Sequence, residues 1–314
     1  MKAKYISPLT DFGFKKIFGE EANKGLLINF LNDLLPIKDK IVDINFKKNQ
    51  QLGRDIESRS AVYDIFCEDE KKNQFIVEMQ NARQTYFPDR AVFYSTFPIQ
   101  EQAEKGLWDF NLKAVYCVGL LGFNLKDKPL KGEETISEYM HMVKLKDQNN
   151  RVFYDKLTYV YVELPKFCKG EDEIETHFEK WLYFLKNLEN FQEIPNILKE
   201  NVFEDAFKIA EIANFTEEQR MEYETSLKVY RDNINTIETA RAEGEAKGKE
   251  EGKAEGRAEG EAKGKAEGKA EGEAQKALSV AEKMLRKNRS NEEVSEFTEL
   301  SLHEVIEIRK RLGL

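Results

Sequence analysis

Apolar positions along the chain follow two spacings, and the places where one gives way to the other mark out the elements. After the opening SPLTDFGFKKIFG, where Thr10 or Asp11 can cap a short helix, NKGLLINFLNDLLP sets Leu26, Leu27, Phe30, Leu31, Leu34 and Leu35 at helical spacing. Pro36 ends that helix. Three strand-like runs follow: IVDINF at 41–46, AVYDIFCED at 61–69 and QFIVEMQ at 74–80. The last two are joined by the polar EKKN and read as a hairpin. DRAVFYSTFPIQEQAEKG, after Pro88, is mainly helical with Pro98 as a kink. A buried strand, LKAVYCVGLLGF at 112–123, comes next. The order is therefore helix, three strands, helix, strand. YMHMVKL at 139–145 and LTYVYVEL at 157–164 alternate and extend the same sheet, and beyond Pro165 the pattern turns helical to about residue 240.

Residues 242–273 are built only from Gly, Ala, Glu, Lys and Arg, with Gly at every fourth position from Gly244 to Gly272. Each Gly costs a helix roughly 1 kcal/mol relative to Ala. Glu-to-Lys pairs four residues apart, such as Glu243 with Lys247 and Glu259 with Lys263, offset only a fraction of that. Two readings stay open: a charged, partly helical spacer, or a helix whose smooth glycine stripe associates with a second chain. QKALSVAEKMLRKNRS, NEEVSEF and SLHEVIEIRK then read as three short helices, with Ser290 or Asn291 and Ser301 as N-caps. Seven acids balance seven bases from Ala277 onward, so this end reads as a small packing or assembly module rather than a DNA reader.

The 314 residues carry 49 Lys and Arg against 58 Asp and Glu, a net charge of −9, which excludes a broad basic coat for nucleic acid but leaves room for a local basic groove. The tail from Arg241 is nearly balanced, with 16 bases and 17 acids, so the acidity belongs to the body. No apolar run reaches the 18 or so residues that span a bilayer, the start has no signal-peptide core, and three scattered cysteines argue against a disulfide framework. These point to a soluble cytoplasmic protein. The three histidines are equally scattered, so any metal has to sit on carboxylates.

Period two puts Asp64 on the face opposite Tyr63 and Ile65, and Glu78 with Gln80 on the face opposite Val77 and Met79. The hairpin lets Asp64, Glu78 and Gln80 converge. Two carboxylates on adjacent strands form an oxygen-ligand site suited to Mg2+, and Gln80 can orient a water for phosphodiester hydrolysis. The plain alternative is a polar solvent face of an alternating strand. Arg90 and Tyr94 lie one helical turn apart and share a face that can touch phosphate and base. Trp108 and Trp181 read as core residues.

The run from Tyr63 to Gln80 and the following DRAVFYSTFPIQEQAEKG resemble the PD-(D/E)XK nuclease family transposases, also called the Rpn family of recombination-promoting nucleases. SPLTDFGFKKIFG, LKAVYCVGLLGF, VELPKF with EKWLYFLKNL, and the tail are similar as well, so the likeness covers nearly the whole chain. It implies an α/β, restriction-endonuclease-like αβββαβ core with a helical C-terminal extension. It also implies a metal-dependent DNA endonuclease associated with recombination or mobile DNA, using Mg2+ or another divalent cation, with Asp64 and Glu78 as metal ligands and Gln80 as the third catalytic residue. Gln80 stands where the wider superfamily has Lys, and a noncatalytic DNA-binding or assembly module on a degenerate nuclease scaffold is the competing expectation. Asp11 is an auxiliary acid by the same resemblance, or else a helix N-cap. The resulting division is a nuclease-like domain at 1–168, a helical extension at 169–240, the repeat spacer at 241–274 and a three-helix module at 275–314. DNA is the expected partner, with a homo-oligomer through the tail and no membrane.

Overall fold

The structure is a computed structural model and describes residues 3–51, 61–103, 109–125 and 138–314. Trp108 lies outside the described residues. Helices α1 (Asp11–Phe18) and α2 (Lys24–Leu34) lead into strands β1 (Ile44–Phe46), β2 (Gln50–Gln51), β3 (Ala61–Val62), β4 (Ile65–Asp69) and β5 (Gln74–Gln80). Helix α3 (Phe87–Glu101) crosses to β6 (Val115–Leu121), followed by β7 (Met140–Lys146) and β8 (Val152–Glu163). Six strands form one mixed sheet in the order β1-β4-β5-β6-β8-β7, while β2 and β3 pair by themselves. β5, β6 and β8 are parallel, and β1, β4 and β7 pair antiparallel with their neighbours. The helix, strand and helix pattern expected from sequence is present, with one difference. The run 61–69 is not one strand but two, broken at Tyr63 and Asp64.

The central strands are apolar on both sides because both faces are covered. Phe75, Val77 and Met79 of β5 join Val118, Leu120, Val160 and Val162 in a large core with α1, α2, α4 (His177–Asn187) and α5 (Asn201–Ala210). Trp181 is at its centre, fully buried, with its indole N–H donating to Asn29 Oδ1 at 2.8 Å. The other face carries Phe66, Ile76, Cys117 and Tyr159 under Ala91, Tyr94 and Phe97 of α3. Glu78 and Gln80 share the parity of Ile76, so strand geometry turns them toward α3.

Pro98 lies within α3. A proline has no N–H, so the carbonyl four residues earlier, that of Tyr94, loses its helical donor. The Tyr63 hydroxyl donates to that carbonyl at 3.0 Å, and the two rings meet edge to face with centroids 5.6 Å apart. Tyr63 thus packs on the α3 face while Ile65 packs in the large core. This corrects the expectation that the two share a face: the break between β3 and β4 cancels the alternation.

Helix α1 is capped by Thr10, whose Oγ1 accepts the Gly13 N–H at 3.0 Å, so Asp11 is its first helical residue and not its cap. Gly13 is required by a close approach: a Cβ there would stand 2.1 Å from the Ser7 carbonyl oxygen, which already accepts the Thr10 hydroxyl. Phe14, Ile17 and Phe18 are buried, which fixes the rotation of the helix.

Helix α6 (Glu217–Arg286) begins on the body through Tyr223 and Leu227, and from Glu238 the chain forms a second compact unit. The whole repeat is helical, where sequence balanced a partly helical spacer against an associating helix. Its described ion pairs run from base to acid, as in Arg241 with Glu245 and Arg257 with Glu261, rather than in the expected Glu-to-Lys direction. In the second unit, Ala281 and Leu285 of α6 pack with Val294 of α7 (Asn291–Thr298) and with Val305 and Ile308 of α8 (Leu302–Leu312). The first of the three expected short helices is therefore continuous with α6. Ser290 caps α7 and Ser301 caps α8 in a box with Glu304. Glu299 ends α7 at φ 58°, a conformation that disfavours any side chain. Among the described residues, no helix is long and apolar enough to cross a membrane.

Gly13→Ala is expected to lower the unfolding free energy of the body by about 1–3 kcal/mol, read as a lower urea midpoint; an unchanged midpoint would contradict the contact. Glu299→Gly is expected to stabilise the second unit by about 1 kcal/mol, increasing hydrogen-exchange protection of α7 and α8 in the full chain. No gain in protection would show the turn to be unstrained.

Candidate metal and phosphodiester site

The site forms where β4 stops following β5. Ile65 pairs with Val77, so a continued register would set Asp64 across from Glu78 and Tyr63 across from Met79. The chain turns away first: the Tyr63 N–H donates to the Asn49 carbonyl at 2.9 Å, and the Asn49 amide donates to the Asp64 carbonyl at 2.8 Å. The Met79 N–H, left without a strand partner, donates to Asp64 Oδ2 at 2.8 Å. A side-chain carboxylate thereby completes the ladder, and it is held beside the other acid. Burial raises the Asp64 pKa; the Met79 bond and the Lys15 charge oppose this, and the Asp11 charge adds to it.

Glu78 is the more constrained acid, its side chain only 13% exposed. Its Oε2 accepts from Gln80 Nε2 at 3.2 Å and from Arg90 Nη2 at 3.4 Å. Its Oε1 is buried with no hydrogen-bond partner. Burial first, and the neighbouring Asp64 charge second, push its pKa up to about 7 against the pull of Arg90 and Gln80. An unpartnered carboxylate oxygen beside a second acid fits a divalent cation, which takes one or two carboxylates and retains waters. The wall beyond it is open because Gly119, level with Glu78 on β6, has no side chain; a Cβ there would meet the Tyr161 ring at 3.0 Å. A cavity of about 30 Å3 lies there among Glu78, Gln80, Arg90, Tyr94 and Tyr161. Among the described residues, no three His, Cys, Asp or Glu side chains form a metal cage, so the waters and the substrate have to complete any coordination.

The remaining expected residues divide between the two sides of this pair. Arg90 Nη1 donates to Gln84 Oε1 at 2.6 Å, and the guanidinium lies 5.1 Å from the centre of the Tyr94 ring, so the two share a face as the helical spacing predicts. Asp11 is 63% exposed and bound to Lys15 at 2.6 Å, near enough for its charge to act on Asp64 but outside the buried pair. Sequence reasoning missed Lys47, Lys48 and Asn49, which line an open cavity of about 600 Å3 with Asp64. Their signal was a pair of lysines directly after a strand in an acidic body. It also missed Asn81, whose side-chain amide donates to the Leu9 carbonyl and ties the end of β5 to the start of α1.

A family model for the PD-(D/E)XK nuclease family transposases matches residues 8–240. The chain belongs to that family. No curated protein and no solved structure gives a match. The mixed sheet with its helices and helical C-terminal extension is the PD-(D/E)XK α/β fold. PD-(D/E)XK nucleases generally use divalent cations.

Because its folded-state pKa lies above the ordinary value of 4.5, Glu78 favours folding in its protonated form. That contribution is complete below about 4.5 and is lost as pH rises to and through about 7. In EDTA, urea stability of the wild type should therefore fall between pH 5 and 8 more steeply than that of Glu78→Gln. Parallel profiles would show that Glu78 is not the strained acid.

Proposed function

We propose that the protein is a divalent-cation-dependent DNA endonuclease that hydrolyses phosphodiester bonds, with Mg2+ the fitting ion and a role in recombination or on mobile DNA. The observation that carries this reading is Glu78, a buried acid with one unpartnered oxygen, kept beside Asp64 by the Met79 amide. These two residues would hold the ion. When bound, the ion supplies charge neutralisation at the scissile phosphate and lowers the pKa of a coordinated water.

The chain's own groups do the rest. Asp64, fixed by the β5 backbone, presents its second oxygen without moving. Gln80 donates its amide to Glu78 and leaves its carbonyl oxygen to accept from and orient the attacking water. Arg90, held on Glu78 by a single long contact, would turn from it to the phosphate. Tyr94 keeps the guanidinium over its ring during that exchange. Lys47 and Lys48, at the open cavity, meet the DNA backbone on the Asp64 side. This answers how an acidic body takes a polyanion: the bases are local.

The competing reading, a noncatalytic DNA-binding or assembly module, is favoured by the neutral Gln80, which cannot supply charge or act as a base. The expected homo-oligomer through the tail rests on the glycine stripe alone, and no step uses it. Purified protein incubated with supercoiled plasmid and Mg2+ is expected to nick and linearise it. Asp64→Ala and Glu78→Ala should each reduce the rate by at least roughly 10²-fold, the scale of losing a transition-state charge partner. Absence of cleavage, or cleavage unchanged in both variants, rejects the endonuclease reading.

A further inference from the structure

Helix α3 covers Glu78 and Gln80 and turns a second face to solvent. Phe87, buried at its start against the Tyr161 ring at 5.3 Å and the Phe123 ring at 5.8 Å, pins the helix to the sheet. Tyr86, directly before it, is 73% exposed, and Phe93, further along the helix, is 44% exposed. Arg90 lies between them and joins this face to the acids. Its guanidinium touches Glu78 Oε2 at 3.4 Å and Gln84 Oε1 at 2.6 Å, and lies 5.1 Å from the centre of the Tyr94 ring. Two spaces meet at Arg90 and Tyr94, which line both. The inner one, beside Glu78 and Gln80, has about 30 Å3, room for a water or two. The outer one has about 670 Å3, on the scale of a small-molecule site, and is lined also by Gln84, Tyr86, Asp89 and Phe93.

We propose that the outer cavity holds a nucleobase that has left the duplex stack, packed on Tyr86 and Phe93 next to the phosphate at the acid pair, so that the preferred substrate is DNA with an unpaired strand at the cut. This rests on the nuclease reading and names its substrate class. The phosphate and base of a nucleotide are joined only through a sugar, so a strand whose backbone lies at Arg90 places a base in the adjoining space. That base has no room beside Glu78 and has it here. Exposed aromatic rings give an unpaired base a flat apolar surface to stack on, one that a base inside the duplex already has from its neighbours. Charge separates base from backbone. Asp89 in the cavity wall repels a phosphate and is suited to accept from an exocyclic base amine. The open cavity on the Asp64 side carries Lys47 and Lys48 and suits the backbone instead. An apolar protein segment is the poorer fit, because Asp89 and Arg90 interrupt the aromatic surface.

The test measures, by fluorescence anisotropy with Ca2+ in place of Mg2+, the binding of three DNAs of one sequence: a blunt duplex, a fork with two unpaired arms, and the same fork with abasic arms. Wild type should bind the fork roughly tenfold more tightly than the duplex, and abasic arms, which keep the phosphates, should abolish that preference. Tyr86→Ala, and Phe93→Leu, which keeps apolar bulk without a ring, should each weaken fork binding at least about fivefold and leave duplex binding within about twofold of wild type. Phe93→Tyr should retain the preference. Because Tyr86 is so exposed, Tyr86→Ala should leave the melting temperature unchanged, so its loss does not come from unfolding. In Mg2+ the fork should be cut faster than the duplex by a similar factor. Equal affinity for fork and duplex overturns the proposal, as does a preference that survives on abasic arms or in Tyr86→Ala and Phe93→Leu alike. No binding to any of the three DNAs also overturns it and leaves this face to a protein partner. Fork preference with the expected losses, but no cleavage of plasmid or fork, rejects the nuclease reading and supports the base site.

Discussion

The bond from the Met79 amide to the Asp64 carboxylate is the constraint on which the site depends. A strand that kept pairing to its end would have satisfied Met79 from the main chain and left Asp64 free to choose its rotamer. By leaving one residue early, the chain makes an acid the structural replacement for a carbonyl. The acid is thus placed by the same force that holds the sheet together. Glu78 needs no comparable device, because strand parity already aims it at α3 and the bare backbone of Gly119 leaves it space.

Two acids held this way are in conflict with each other and with their burial. The conflict appears in the raised pKa of Glu78, where the Asp64 charge adds to burial, while Asp64 itself is raised by burial with a smaller contribution from Asp11. Arg90 and Gln80 relieve only one oxygen of Glu78. Such an arrangement is a cost to the folded protein and is better explained by a ligand than by stability, since a hydrophobic pair in the same place would cost nothing to bury.

Much of this was legible in the order of residues. The helical spacing from Leu26 to Leu34 and the alternation in QFIVEMQ place α2 and β5 directly, and the parity of Glu78 and Gln80 follows. The break at Tyr63 was not legible, because VYDIF alternates as well as any strand; its cause is a hydroxyl bond to a helix 31 residues away. The cap on α1 was narrowed to two neighbours, and only geometry separates Thr10 from Asp11. Asn81 escaped notice for a similar reason. Its side-chain amide meets the Leu9 carbonyl, 72 residues away, and local spacing carries no information on that scale. In the repeat, the composition allowed ion pairs in either direction, and the exposed helix shows the base-to-acid set.

The proline in α3 has one more implication. Tyr63 is almost wholly buried, and its hydroxyl is satisfied by a carbonyl that is available only because Pro98 cannot donate. The two positions are therefore not free to vary separately. A lineage that replaced the proline would restore the helix's own bond and leave a phenol oxygen competing for its acceptor, and one that lost the phenol would leave the carbonyl bare. Since the residue after Tyr63 is Asp64, drift at either position would be felt next as a displaced acid, so selection on chemistry reaches a helix residue that touches none of it.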